Sequence, residues 1–363
     1  MKMIIKNQCI TEKINLFNFD RKTMYSFFNS IQERSFRADQ VMRWIYYYFC
    51  DDFNKMTNLT YKLRNKLNSL SCIQAPTFIE KKISQDSTIK WTMSLHDGNF
   101  ETIFIPEKKR NTLCISSQIG CLLNCQFCAT GKKGFYRNLS VAEIIGQIWK
   151  IYKLINDKKN IFYSPITNIV FMGMGEPLLN FNNVIKSLNI IFDKYGLNIS
   201  KKRIVLSTAG IVPGIKKLSS VIDVKLAISL HAPNDTLRNQ LVPINKKYNI
   251  SMLLHAVSNF LKTSKLNKKG ITIEYVMLNN INDTILHAKE LIKILKNIPS
   301  KINLIPWNYL KNSVFQCSSL KKINKFSEFL NKKGFTTTIR KSRGKDIHAA
   351  CGQLIGDFKK NNI

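Results

Sequence analysis

The chain has 363 residues and a net charge of +33. That length holds one large domain and a small one, no apolar run reaches the ~18–20 residues of a membrane span, and the first sixteen residues carry no signal-peptide pattern. Nine unevenly spaced cysteines exclude a secreted disulfide framework and point to a reducing compartment, the cytoplasm.

Residues 1–16 give little periodic signal. From about Asp20 to Leu70 the apolar spacing predicts amphipathic helices: one near Arg21–Phe28, one over Arg37–Phe49 carrying Val41, Trp44, Ile45 and Tyr48, and one near Leu59–Leu67. Arg34, Arg37, Arg43 and Arg64 lie among aromatic residues. Residues 1–85 therefore read as a small helical domain, either an RNA grip or a bundle with a solvated basic face. The charge is open in the same way: a phosphate-rich partner, above all RNA, or the Lys-, Asn- and Ile-rich usage of AT-rich coding.

Over residues 86–112 the period becomes two. Ile89, Trp91, Met93 and Leu95 alternate with other side chains, Asp97–Gly98 supplies a hairpin turn, and Glu101–Ile105 returns. Glu101 falls on the same side of its strand as Ile103 and Ile105. A carboxylate in register with an apolar face is either a strand-end group reaching solvent or a functional one.

Residues 113–355 alternate strand and helix. Strands are expected at Leu113–Ser116, Ile169–Met172, Ile204–Ser207, Val224–Ser229, Ile271–Met277, Ile302–Ile305 and Phe335–Ile339. Ser140 and Glu143 form a capping box before one helix, and Asn282–Asp283 opens another. This alternation predicts an α/β fold: about six β/α units in a partial barrel with one extra C-terminal strand, the helical domain preceding it. Residues 356–363 read as a solvated tail.

Between the first strand and first barrel helix stands Cys121–Leu–Leu–Asn–Cys125–Gln–Phe–Cys128, a C-x3-C-x2-C spacing. A structural zinc site would want a fourth Cys or His nearby, and none follows within the next hundred residues. Three thiolates suit a [4Fe–4S] cluster with one iron left open for a small molecule. Other suspicious residues fall where β/α barrels place working groups, at strand C-termini and the loops beyond. They are Gly175 and Glu176 in Met172–Gly–Met–Gly–Glu–Pro177, then Ser207, then Ser229–Leu230–His231, then Asn308. Cys114 lies on the first strand. Cys351 sits in a loop bracketed by Gly344 and Gly352, with Arg343 and Lys345 near in sequence, a flexible cationic setting that favours a nucleophilic thiolate. Cys9, Cys50, Cys72 and Cys317 read as small buried hydrophobes.

The cysteine spacing resembles that of the radical S-adenosylmethionine (SAM) superfamily. Phe36–Arg–Ala–Asp–Gln–Val41, Ser116–Ser–Gln–Ile–Gly–Cys121, Met172–Gly–Met–Gly–Glu–Pro–Leu–Leu–Asn180, Ser229–Leu–His–Ala–Pro–Asn234 and Ala349–Ala–Cys–Gly352 together resemble the bacterial dual-specificity adenine C2 methyltransferases of rRNA and tRNA, across nearly the whole chain. Tyr309 departs from the family's usual Pro after Trp–Asn, and residues 311–318 also look unlike it. The resemblance implies one [4Fe–4S] cluster on Cys121, Cys125 and Cys128, and SAM held by Gly175, Glu176, Ser207, Ser229, Leu230, His231 and Asn308. Two SAM molecules are used per turnover, with an electron donor such as flavodoxin. It implies a monomer acting on 23S rRNA and tRNA. In that chemistry Cys351 is methylated and carries the methyl group as a methylene radical onto carbon 2 of the base. Glu101 removes the carbon-2 proton, and Cys114 attacks Cys351 to free the RNA, leaving a transient disulfide. A relative that methylates carbon 8 shares all five cysteines. A non-catalytic cluster protein that binds RNA would need only the cluster ligands and the charge.

Overall fold

In a computed structural model, residues 13–108, 110–156 and 165–357 are described; Cys9 and most of the expected tail lie outside them. The N-terminal region forms three helices, Arg21–Ser30, Phe36–Tyr46 and Tyr61–Leu70. Asp20 and Thr60 cap the first and third by accepting the Thr23 and Leu63 N–H groups. Each helix turns one apolar stripe inward, Met24–Phe27–Phe28, Val41–Met42–Ile45 and Leu63–Leu67. Trp149 fixes this bundle to the barrel: its ring packs edge-on to Phe17, and its indole N–H donates to the Ile45 carbonyl at 2.6 Å.

One ten-stranded sheet carries the rest. Seven parallel strands run side by side in chain order: Thr112–Cys114, Asn168–Phe171, Ile204–Thr208, Lys225–Ser229, Ile271–Met277, Ser300–Pro306 and Thr337–Ile339. Each is adjacent to the next, as right-handed β/α crossovers dictate. The first six form the partial barrel and the seventh extends it. On the other side of Thr112–Cys114 the sheet turns antiparallel through Gly98–Ile105, Ile89–Leu95 and Thr77–Ile83. Leu95 pairs with Gly98, so the turn is His96–Asp97, one residue earlier than the expected Asp97–Gly98, and Gly98 opens the returning strand.

Several boundaries differ from the sequence reading, some by only one to three residues. The antiparallel wing begins at Thr77, ahead of the hairpin expected from residue 86. The first barrel strand ends at Cys114: Ile115 still bonds to Val170 and Gly173, but the Ser116 N–H donates to the Gln147 side chain instead. The helix expected from Asn282–Asp283 begins at Ile285, capped by Thr284, since Asn282 and Asp283 spend their side chains on the Leu278 and Asn280 N–H groups. The Ser140–Glu143 box is present in both directions, 3.2 and 2.7 Å. Among the described residues no helix is long and apolar enough to cross a membrane.

Candidate active site

The strand C-termini open into two adjoining cavities. The smaller, about 180 Å³, is lined by Cys121, Cys125 and Cys128 together with Gly175, Glu176, Ser207, Ser229, His231 and Asn308. The larger, about 470 Å³, holds Cys114 and a polar wall of Glu274, Asn303 and Arg340. Cys351, Gly352, Cys128, Asn308, Glu274 and Arg340 are among the residues that line both. The larger volume lies in the range of small-molecule sites, roughly 300–1,000 Å³.

The cluster loop is shaped by its own glycines and backbone. The Cys121 N–H donates to the Gly134 carbonyl, and the Cys128 N–H to the Cys125 carbonyl. Gly120 has φ 74°, and a Cβ there would stand 2.0 Å from the Gly134 oxygen, so only glycine fits. Burial pushes the Cys121 thiol up to about 12 and the Cys125 thiol further. Thiols so placed yield thiolates only to a strong positive charge such as iron. Among the described residues no three His, Cys, Asp or Glu side chains close round a point as ligands of one ion do. The three thiols line one cavity together, as residues each giving one thiolate to a multi-iron cluster would.

Ser116, Ser117 and Gln118 splice the first barrel strand to the glycine–glutamate loop. The Ser116 hydroxyl donates to the Glu101 carbonyl and accepts from the Met174 N–H; the Gln118 amide oxygen accepts from the Glu176 N–H at 2.8 Å. Gly175 has φ 94°, and a Cβ there would meet the Gln118 side chain at 2.5 Å. Glu176 is buried, and burial pushes its carboxyl up to about 7. Its oxygens accept from the Leu178 and Ala209 N–H groups at 3.0 and 2.8 Å. An ammonium group in the cavity would compensate that desolvated carboxylate.

His231 accepts the Val276 N–H at Nδ1, 3.1 Å, so its remaining ring proton is on Nε2. Burial lowers its pKa to about 3, which keeps the ring neutral. Ser207 and Ser229 hydroxyls lie 3.4 Å apart. The Asn308 Nδ2 donates to the Cys351 carbonyl at 3.1 Å, while its Oδ1 is buried without a partner. An orphaned acceptor of this kind costs about 1–3 kcal/mol unless a ligand supplies a donor. These donors and acceptors fit a zwitterionic nucleoside beside a cluster. Tyr309 leaves Asn308 in place: its ring is 66 % exposed and its carbonyl accepts from Gln353. Leu230 differs from its neighbours, since its side chain is fully buried and it lines neither cavity.

Cys114 and Cys351 face the larger cavity as free thiols. Burial, with the Cys351 thiol adding to it, raises the Cys114 pKa to about 12. The disulfide implied by resemblance is not formed: every cysteine among the described residues is free. Arg343, expected near Cys351, lines the larger cavity with it but pairs elsewhere. Arg343 turns to Asp86 and Glu107, at 3.9 and 4.0 Å. The guanidinium that interacts with the Cys351 and Cys114 thiols is that of Arg340, just past the extra strand. The loop is anchored rather than free. The Gly352 carbonyl accepts from the Ala129 N–H at 2.7 Å, and the Leu354 carbonyl from the Thr130 hydroxyl at 2.7 Å.

Glu101 is buried and lines neither cavity, although Ile103 and Leu354 beside it line the larger. One carboxylate oxygen lies 2.7 Å from the Lys90 ammonium; the other accepts the Ile355 N–H at 2.8 Å. Sequence reasoning missed Lys90, Arg340 and Arg238. Arg238 is wholly buried and donates to the Ala209, Ser229 and Leu230 carbonyls, tying two strand ends together. Only their three-dimensional neighbours distinguish these cations from the other Lys and Arg residues.

The family described as "Ribosomal RNA large subunit methyltransferase N-terminal domain" matches residues 14–73, and the "Radical SAM superfamily" matches residues 115–292. A dual-specificity RNA methyltransferase RlmN of Buchnera aphidicola subsp. Schizaphis graminum is 60 % identical over 347 residues, 96 % of this chain and 95 % of that one. The RlmN of Wigglesworthia glossinidia brevipalpis is 56 % identical, covering 97 % and 93 %. The crystal structure of a radical SAM methyltransferase from Sphaerobacter thermophilus superposes with a TM-score of 0.87 at 35 % identity, over 94 % of this chain and 99 % of that one.

Proposed function

The chain belongs to the RlmN family of dual-specificity RNA methyltransferases, and we propose that it methylates carbon 2 of adenine in 23S rRNA and tRNA through a cysteine-borne carbon and a covalent RNA adduct. It is a SAM-dependent radical RNA methyltransferase. The observation that carries the finer reading is the shared wall: Cys351 borders both cavities at once. Its thiol can take a carbon on the side of the cluster thiols and present it on the side of Cys114.

Cys121, Cys125 and Cys128 would hold the cluster, with Glu176 and the open Oδ1 of Asn308 turned to SAM. Bound there, the cluster and two SAM molecules per turnover supply a methyl group and a hydrogen-abstracting radical. Cys351 carries the one-carbon unit to the base. Glu101 removes the carbon-2 proton as general base. Cys114 attacks the Cys351 sulfur and releases the RNA, and the two thiols pass through a disulfide that reduction reopens. The target adenine leaves its stack to enter the larger cavity.

Residues 1–85 act as the RNA grip in this reading. Arg43 lies over Tyr47 and Tyr48, and Arg64 over Tyr61, with the three rings 50–72 % exposed. Arginine-backed exposed rings suit unstacked bases. A flavodoxin-type donor, action as a monomer and a cytoplasmic location complete the proposal. Reconstituted enzyme tests it: mass spectrometry of digested RNA should find the new methyl on carbon 2, and Cys351→Ala should give none. A methyl on carbon 8, or product from Cys351→Ala, would overturn it.

A further inference from the structure

Lys90 is an anomaly of the antiparallel wing. It is the second residue of the strand Ile89–Leu95 and is only 6 % exposed. A lysine is rarely buried without partners that repay its desolvation. Lys90 has two partners, and they belong to different parts of the site. Its ammonium lies 2.7 Å from the Glu101 carboxylate on the neighbouring strand, and it donates to the His348 carbonyl at 3.3 Å. His348 is three residues ahead of Cys351. On the far side of Cys351, the Ile355 N–H donates to the other Glu101 oxygen at 2.8 Å. The carboxylate is thus clamped by the loop that carries Cys351, from below through Lys90 and from above directly.

We propose that Lys90 is a positioning residue that fixes the Glu101 carboxylate relative to the Cys351 loop, and that it is required for resolving the RNA adduct but not for forming it. This rests on the reading of Glu101 as the base. Adduct formation survives without Lys90 because the loop keeps its other anchors, to Ala129, Thr130, Asn308 and Tyr309. Resolution does not, because a carboxylate freed from its ammonium no longer points along a fixed line at the base edge.

Lys90→Met keeps the apolar stem and removes the charge. In anaerobically reconstituted full-length enzyme, this variant should retain SAM cleavage and methylated Cys351, form the protein–RNA adduct, and release it at least about 100-fold more slowly than wild type, as displacement of a reacting group by an ångström does. Lys90→Arg should restore part of the rate. The double variant Lys90→Met/Glu101→Gln buries no unpaired charge and guards against misfolding. It should be no slower than Glu101→Gln alone, since both changes remove one device. Release by Lys90→Met within about 3-fold of wild type, loss of Cys351 methylation together with the adduct, or multiplicative losses in the double variant would each overturn the assignment. Cys114→Ala serves as control: if it too traps no adduct, the covalent mechanism itself fails rather than the role of Lys90.

Discussion

Cys121–Cys128 and Cys351 meet at one barrel mouth, but the first segment is shaped from within and the second from without. The cluster loop closes on itself: Cys128 bonds back to Cys125, Cys121 to Gly134, and Gly120 supplies a backbone conformation no other residue could take there. The Cys351 loop owes its place to partners from 43 to 258 residues away, among them Asn308, Thr130, Glu101 and Lys90. A loop built locally can keep its ligands through any motion of the rest. A loop that adds distant anchors to its own Ala349–Gly344 and Ala350–Gln353 bonds can dock and undock as a unit, which the proposed carrier role needs.

The sharpest way to break this comparison is at the local loop. Cys125→Ala should remove iron binding and bring SAM cleavage down to background; cleavage that persists with one thiol missing would show that the loop is not the cluster's seat. Next comes the shuttle. Cys114→Ala should still methylate Cys351 and attack RNA, yet lose multiple turnover by about 10³-fold or more, with protein–RNA conjugate visible on a denaturing gel. Free turnover would mean that another group resolves the adduct.

The same contrast explains what could be read from sequence. Three cysteines in eight residues, the Gly175–Glu176 loop and the strand-end serines are local patterns, and strand alternation placed them on one rim. Lys90, Arg238 and Arg340 had no such pattern. Each is one cation among 56 in a chain of +33 charge, and only burial against Glu101 or three backbone carbonyls, or an electrostatic interaction with two thiols, singles it out. Arg343 lines the larger cavity with Cys351, yet its guanidinium pairs with Asp86 and Glu107, which sequence proximity alone could not show.

Smaller effects sharpen the picture. Asn308→Ala should weaken SAM binding about 10-fold by equilibrium dialysis, the worth of one buried hydrogen bond, and speed hydrogen exchange across residues 349–354. If only one of the two changes, Asn308 serves one partner. Tyr47→Ala with Tyr48→Ala should lower RNA affinity about 10-fold, as loss of a stacking platform does, with the salt slope unchanged; a change in slope alone would assign the surface to phosphate contacts. The least effect is expected at the hairpin tip, where Arg137 holds Asp97 below the usual carboxylate range and also pairs with Glu143. A depressed carboxyl stabilises the fold above its ordinary pKa and loses that contribution as pH falls through its folded value. Arg137→Met should therefore cost about 1 kcal/mol at neutral pH and progressively less in acid, read from urea unfolding.

One amide plane has a wider consequence. The Asn308 Nδ2 grips the Cys351 carbonyl while its Oδ1 is buried without a partner, in a residue that lines both cavities. Filling Oδ1 polarises and orients the same group that holds the loop, so occupancy of one room and closure of the other are thermodynamically linked. Linkage is reciprocal: a nucleoside that tightens the loop is itself bound more tightly when the loop is shut. In the proposed reaction, departure of the spent nucleoside would loosen the tether of the Cys351 loop, and exchange of small molecules would time the loop without a separate gate.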